Sequence, residues 1–336
     1  MKKILFLIGL IGFWGYVQAS PLKLSVRNDT NEALWYAYVY VNGRAVAVTD
    51  TLGFAQVSEE KLKIGDTVSV SYVGTETQRI VYDKTLQQVG EYAFVLPEKY
   101  NALVTDEVVV KADIEKLYRK NVEQRRAYYY MSLWTADFNM QIKTPDGKKY
   151  PVIGKIKFPY IMGFETKIPR KIITSSDTTG LSWYLKSDLT YALTSLHTAL
   201  YVASQPAAGT WKPSFGYLGK QDGNRIFRIS YAEIQPGISY QILLKADQET
   251  REVKEIEVDI ADLNDGSVTH NRATIRTTEK KAFKMPAMYA PTSIQYDFQY
   301  KNGTKVGVNI RNIEIEYNGW GKKATEKFIQ ENKSSE

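Results

Sequence analysis

The sequence predicts a mainly β protein: a small β-sandwich followed by a larger antiparallel β-meander with one or two helices. Three observations carry this expectation. Apolar and polar residues alternate in runs such as Val68–Val73, Trp134–Ile142 and Ile294–Tyr300, the period of a strand with one buried face. Turn-forming pairs separate the runs, among them Asn42-Gly43, Pro236-Gly237, Asp265-Gly266 and Asn302-Gly303; they supply the backbone angles that tight connections need. Helical spacing of apolar residues stands out in only two stretches, Ile114–Val122 and Leu189–Leu200.

Composition bounds the remainder. Lys2 and Lys3 precede an apolar run from Ile4 to Val17, and Val17-Gln18-Ala19 offers residues of the size a signal peptidase reads. The run is short for a membrane span, so residues 1–19 are expected to be a signal peptide cleaved before Ser20. The rest of the 336 residues is enough for two domains, each with its own core. There is no cysteine, which excludes disulfides, zinc–thiolate sites and iron–sulfur clusters. A thiol-free exported chain fits the periplasm or cell surface of a Gram-negative bacterium. The formal charge is +7, but basic residues are interleaved with acids, so a solvated surface is expected, with no nucleic-acid partner and no membrane span once the signal is removed.

The first domain is expected over residues 20–112. Leu24, Val26 and Tyr36–Val41 read as strands, and Asn42-Gly43 turns the chain into a return strand at Ala45–Thr49. Asp50 and Gly53 form another turn. Val68–Val73, Ile80 and Tyr82, Tyr92–Val95 and Val108–Val110 continue the series, the rhythm of a sandwich. Ala37-Tyr38-Val39-Tyr40-Val41, Thr49-Asp50 with Gly53-Phe54, Gly65-Asp66-Thr67, Ser71-Tyr72-Val73-Gly74 and Asp106-Glu107-Val108-Val109-Val110 occur in that order. This set resembles the carboxypeptidase-regulatory-like domain, a transthyretin-like sandwich found in bacterial envelope proteins and ahead of TonB-dependent receptors. The resemblance implies a scaffolding or interaction module. Asp50 reads as a turn-former rather than a calcium ligand, because its loop lacks the closely spaced oxygens that calcium requires.

A connecting helix is expected over residues 113–127, with Asp113 as cap and Ile114, Leu117, Tyr118 and Val122 on one face. The second domain is expected over 128–321. Trp134, Ala136, Phe138, Met140 and Ile142 alternate with polar residues, Pro145-Asp146-Gly147 turns, and Tyr150–Phe158 returns. A helix beginning at Ser187 carries Leu189, Leu193, Leu196 and Leu200, with His197 beside them. Gln205–Gly216, containing Trp211, reads as a loop or lid. Strands follow at Phe227–Tyr231, Ile238–Leu244, Ile256–Ile260, Val268–Ile275, Ile294–Tyr300 and Val306–Ile310. The apolar phase then slips by one to Ile313, Ile315 and Tyr317, which predicts a bulge. Glu255, Glu257 and Asp259 alternate with Ile256 and Val258 and read as an outward, solvated face rather than a metal site. Residues 322–336 read as a charged, fraying tail. The architecture of this part resembles the half-barrel of bacterial lipoprotein carriers, which implies a concave apolar face.

Catalytic signatures are missing. Only His197 and His270 exist, and neither opens a His-x-x-Glu pair, so the zinc peptidase chemistry in the module's name has no ligands. There is no Gly-x-Ser-x-Gly elbow, phosphate-binding loop or dinucleotide fingerprint. No cofactor, metal site or catalytic residue is assigned. The leading expectation is an exported, non-catalytic envelope protein that acts as a binding or scaffolding module for an envelope protein, a glycan or an apolar ligand. Two alternatives stand beside it. One is a carrier of a lipid or other apolar ligand, with Trp134, Phe138, Tyr296 and Trp211 as candidate ligand contacts. The other is a glycan hydrolase that uses two carboxylates from distant strands.

Overall fold

The computed structural model describes residues 21–99, 132–160, 171–174, 176, 214–235, 237–250, 252–264, 268–280, 288–316 and 318–332. The expected signal peptide, the strand at Val108–Val110, the helices at 113–127 and from Ser187, His197 and Trp211 lie outside these residues.

Among the described residues the N-terminal part holds seven strands: β1 (Leu22–Asn28), β2 (Tyr38–Val41), β3 (Arg44–Val48), β4 (Phe54–Val57), β5 (Thr67–Ser71), β6 (Gln78–Val81) and β7 (Glu91–Leu96). They form two sheets, in the orders β4-β1-β7 and β3-β2-β5-β6. Leu22, Leu24, Val26, Phe94 and Leu96 of the first sheet meet Val39, Val68 and Val70 of the second in one core. The β2–β3 hairpin turns on Asn42 and Gly43 at φ 50° and 79°, the left-handed pair that matches the twist of the strands. Asp50 Oδ1 accepts from the backbone N–H groups of Leu52 and Phe54 at 2.8 and 2.9 Å, so it shapes the turn. A short helix, α1 (Lys84–Val89), stands where alternation gives no signal. Asp83 caps it by accepting from Leu86 N–H at 2.8 Å, and Gly90 ends it at φ 73°.

The C-terminal part is one antiparallel sheet, ten-stranded among the described residues. Its strands are β8 (Ser132–Lys143), β9 (Lys149–Tyr160), β10 (Lys171–Thr174), β11 (Ser214–Gln221), β12 (Asn224–Gln235), β13 (Ile238–Asp247), β14 (Val253–Asp262), β15 (Val268–Lys280), β16 (Met288–Tyr300) and β17 (Lys305–Glu316). The order is β10-β9-β8-β17-β16-β15-β14-β13-β12-β11. The first and last long strands, β8 and β17, therefore pair inside the sheet, and β10 and β11, consecutive among the described strands, form its two edges. The expected phase slip is present as a register shift between Arg311 and Glu314, with Asn312 at φ 52°. Among the described residues no helix is long and apolar enough to cross a membrane.

The structure differs from the sequence expectation at three places. Lys171–Thr174 is an edge strand too short to register as a period. Ser214–Gly216, read as loop, opens β11. Where a polar tail was expected, α2 (Asn318–Asn332) packs on β8, β9 and β17, with Thr325 and Phe328 buried three residues apart on one helical face.

Candidate functional site

Alternation assigns each strand of the large sheet an inner and an outer row of side chains. Cross-strand partners share a face, so the register lines up residues from distant parts of the chain. One inner row runs through Phe138, Ile310, Ile294, Ile275, Ile256, Leu244, Phe227 and Tyr217, from β8 to β11. Its neighbour runs through Val152, Met140, Val308, Tyr296, Ala273, Val258, Ile242, Ile229 and Phe215. Every member of both rows is apolar or aromatic.

Three of the four candidate contacts, Trp134, Phe138 and Tyr296, lie together in the resulting buried cluster; Trp211 is outside the described residues. Phe158, Phe227, Tyr240 and Phe298 join them. Parity sets the face of each within its own strand, and the strand pairing gathers them into one cluster. Trp134 and Phe158 stand 5.8 Å apart between ring centroids, and Tyr296 and Phe298 stand 5.4 Å apart. The Tyr296 hydroxyl donates to Asn271 Oδ1, a polar contact placed within the apolar surface. Toward the two edges the cover thins: Phe215 and Tyr217 on β11, and Tyr150 and Ile172 on β9 and β10, are only half-buried.

The outer face serves another purpose. Over β11–β14 it receives the N-terminal sandwich. Val73, Leu218, Ile226 and Leu243 form one apolar contact, and Tyr38, Ala45 and Ala261 a second. Polar groups lock the register between the two parts. Gln241 accepts from Val73 N–H through Oε1 and donates to the Tyr36 carbonyl through Nε2, both at 2.7 Å. Arg228 lies 4.2 Å from the centre of the Tyr72 ring and 3.4 Å from Glu98. Tyr38 donates its hydroxyl to the Asp259 carbonyl at 3.1 Å. This docking explains why Arg228, Ser230 and Gln241, placed on the outer face by alternation, are nevertheless buried. It also raises the pKa of Tyr38 and Tyr40 above the phenol range, chiefly through burial.

The three acids expected on a solvated face are outward, but engaged. Asp259 is buried and accepts two bonds from Arg272, at 2.5 and 2.6 Å. That bidentate pair raises the arginine's pKa further. Lys245 bridges Glu255 and Glu257 at 2.7 and 3.1 Å, and Arg276 reaches Glu255 at 2.9 Å. Burial opposes the charged form of Glu255, but hydrogen bonds and charge from Lys245 and Arg276 outweigh it and hold the carboxyl below its ordinary value. A lowered folded-state pKa contributes stability above the unfolded value of 4.5 and loses it as pH falls through the folded value. Urea midpoints should therefore drop as pH is lowered from about 6 to about 3, and Glu255→Gln should flatten that dependence. An unchanged pH profile in the variant would show that the ion-pair cluster is not what acid disrupts. Among the described residues no group of three or more His, Asp or Glu side chains is placed to hold a metal ion.

No protein-family model and no curated protein sequence matches the chain. Solved structures similar to it include a LolA superfamily protein from Nitrosomonas europaea (11% identity, TM-score 0.30, covering 60% of this chain and 92% of that one). A candidate outer membrane lipoprotein-sorting protein domain from Vibrio parahaemolyticus shows 11% identity and TM-score 0.34, covering 63% of this chain and 98% of that one. A DUF1329 family protein from Desulfovibrio piger shows 12% identity and TM-score 0.32, covering 61% and 93%.

Proposed function

We propose that the protein is an exported, non-catalytic binder of a lipid or another apolar ligand. The ligand is taken up against the inner face of the ten-stranded sheet, and the N-terminal sandwich is a scaffold fixed to the outer face. One observation carries this reading: two adjacent rows of wholly apolar and aromatic side chains run unbroken from β8 to β11 and end at the half-buried Phe215 and Tyr217. Burying an acyl chain against the half-buried end of the track at Phe215 and Tyr217 removes apolar surface from water at roughly 25 cal/mol per Å², without any dedicated polar chemistry. The acids argue the same way. Glycoside cleavage needs one carboxyl of a pair protonated, whereas Lys245 lies between Glu255 and Glu257 and favours the charged form of Glu255.

Titration with the neutral apolar fluorophore 1-N-phenylnaphthylamine tests the reading. Saturable enhancement at about one site per chain is expected, and Tyr217→Asp, at the half-buried end of the track, should weaken it about tenfold while leaving the fold intact. Absence of saturable binding, or an undiminished affinity in the variant, would count against it.

A further inference from the structure

The apolar track ends in two cations that have no counter-ion among the described residues. Lys220 on β11 pairs directly with Arg225 on β12, so the two side chains share a face. That face is the inner one. Arg225 pairs in turn with Ala246, and Ala246 with Val253; both are fully buried members of the inner cluster. Two residues further along β12, on the same face, stands Phe227, whose ring lies 5.5 Å from that of Tyr217. The Arg225 Nε–H is buried and has no hydrogen-bond partner among the described residues, and no carboxylate forms an ion pair with either cation there. Of the acids on the adjoining turns, Asp222 and Glu249 are exposed and form no ion pair with either cation, and the other two are engaged elsewhere. Asp247 accepts from the N–H groups of Glu249 and Thr250, and Glu252 pairs with Lys254.

Two like charges directly opposite each other repel, and a buried unpaired guanidinium N–H is costly. An oxyanion between them removes both penalties. We propose that Lys220 and Arg225 seat the carboxylate of a long-chain fatty acid whose acyl chain runs along the inner face past Phe227 and Tyr217. The guanidinium offers two parallel N–H bonds that match a planar carboxylate, and Lys220 adds a second charge at the exposed rim. The assignment rests on the apolar-ligand reading above and specifies its headgroup.

Calorimetric titration of the full chain with oleate and with oleyl alcohol separates the two claims. The wild type should bind oleate at least about tenfold more tightly than the alcohol. The double variant Lys220→Gln, Arg225→Gln should lose that preference and keep its affinity for the alcohol. Arg225→Lys, which keeps the charge but loses the fork, should fall between. Equal affinity for both ligands in the wild type, or a preference unchanged in the double variant, would overturn the headgroup seat and leave the apolar-ligand reading standing. Tighter binding to dioleoylphosphatidylglycerol vesicles than to oleate would overturn the choice of a carboxylate. Failure of both ligands to bind would overturn both claims.

Discussion

Replacing Trp134 with alanine is expected to destabilise the sheet by about 3–5 kcal/mol, the range for deleting a large buried aromatic. The indole is 1% exposed, stands opposite Phe158 on β9 and Ile315 on β17, and donates Nε1–H to Ser132 Oγ at 2.8 Å. Truncation removes apolar contact with both neighbouring strands, opens a cavity where β8 meets β17, and takes a donor from a buried hydroxyl. Urea unfolding monitored by circular dichroism measures the loss. The outcome also bears on function. If the inner face were loosely covered and filled by ligand, the apo protein would lose less than about 1 kcal/mol and the effect would appear in ligand affinity instead. A large loss of stability places Trp134 in the packed floor of the track.

The second large effect is expected at Gly154. It pairs with Phe138 on one side and Thr174 on the other. A Cβ added there would sit 2.2 Å from the carbonyl oxygen of Ile173, 2.9 Å from Phe138 Cε1 and 3.0 Å from Thr174 Cα. The nearest obstacle is backbone, so no rotamer change relieves it. Either β10 moves off the edge of the sheet or the Phe138 ring is driven along the inner row. Gly154→Ala should cost about 1–3 kcal/mol and raise amide exchange in Lys171–Thr174, where Thr174 Oγ1 donates to the Ile153 carbonyl at 2.9 Å. Adding Phe138→Leu should restore little, because the tighter collision is with the Ile173 carbonyl. Full restoration by that second change would show the ring, not the edge strand, to be the critical neighbour.

Much of the sheet was legible because its outer face is polar where it meets water. Thr135, Asp137 and Asn139 alternate with Trp134, Ala136 and Phe138, and the period of two is plain. Legibility failed where both faces are covered or where neither repeats. On β12 the sandwich buries Arg228 and Ser230, whose types announce an exposed row. β10 has only four residues, and Ser214–Gly216 at the start of β11 read as loop. The contacts joining the two parts, Gln241 to Val73 and Tyr38 to Asp259, link residues 168 and 221 positions apart, and no local pattern records them. For the candidate site, strand parity puts Trp134 and Phe138 on one face of β8, and the sheet register brings Tyr296 of β16 to the same buried cluster. The register that makes Phe138 and Tyr217 ends of one row depends on seven successive pairings, which sequence spacing does not specify. Lys220 and Arg225 flank an Asp222-Gly223 turn, where lysine and arginine ordinarily signal only a solvated surface; that no described carboxylate pairs with either is visible only in three dimensions.

Mass spectrometry of an organic-solvent extract from the protein purified without detergent decides whether the inner face carries an apolar ligand. An acyl-chain compound is expected at about one molecule per chain, displaced when 1-N-phenylnaphthylamine is added in excess. An extract free of such compounds, from a protein that also takes up none when offered oleate, would contradict this expectation and leave the inner face as an ordinary packed core.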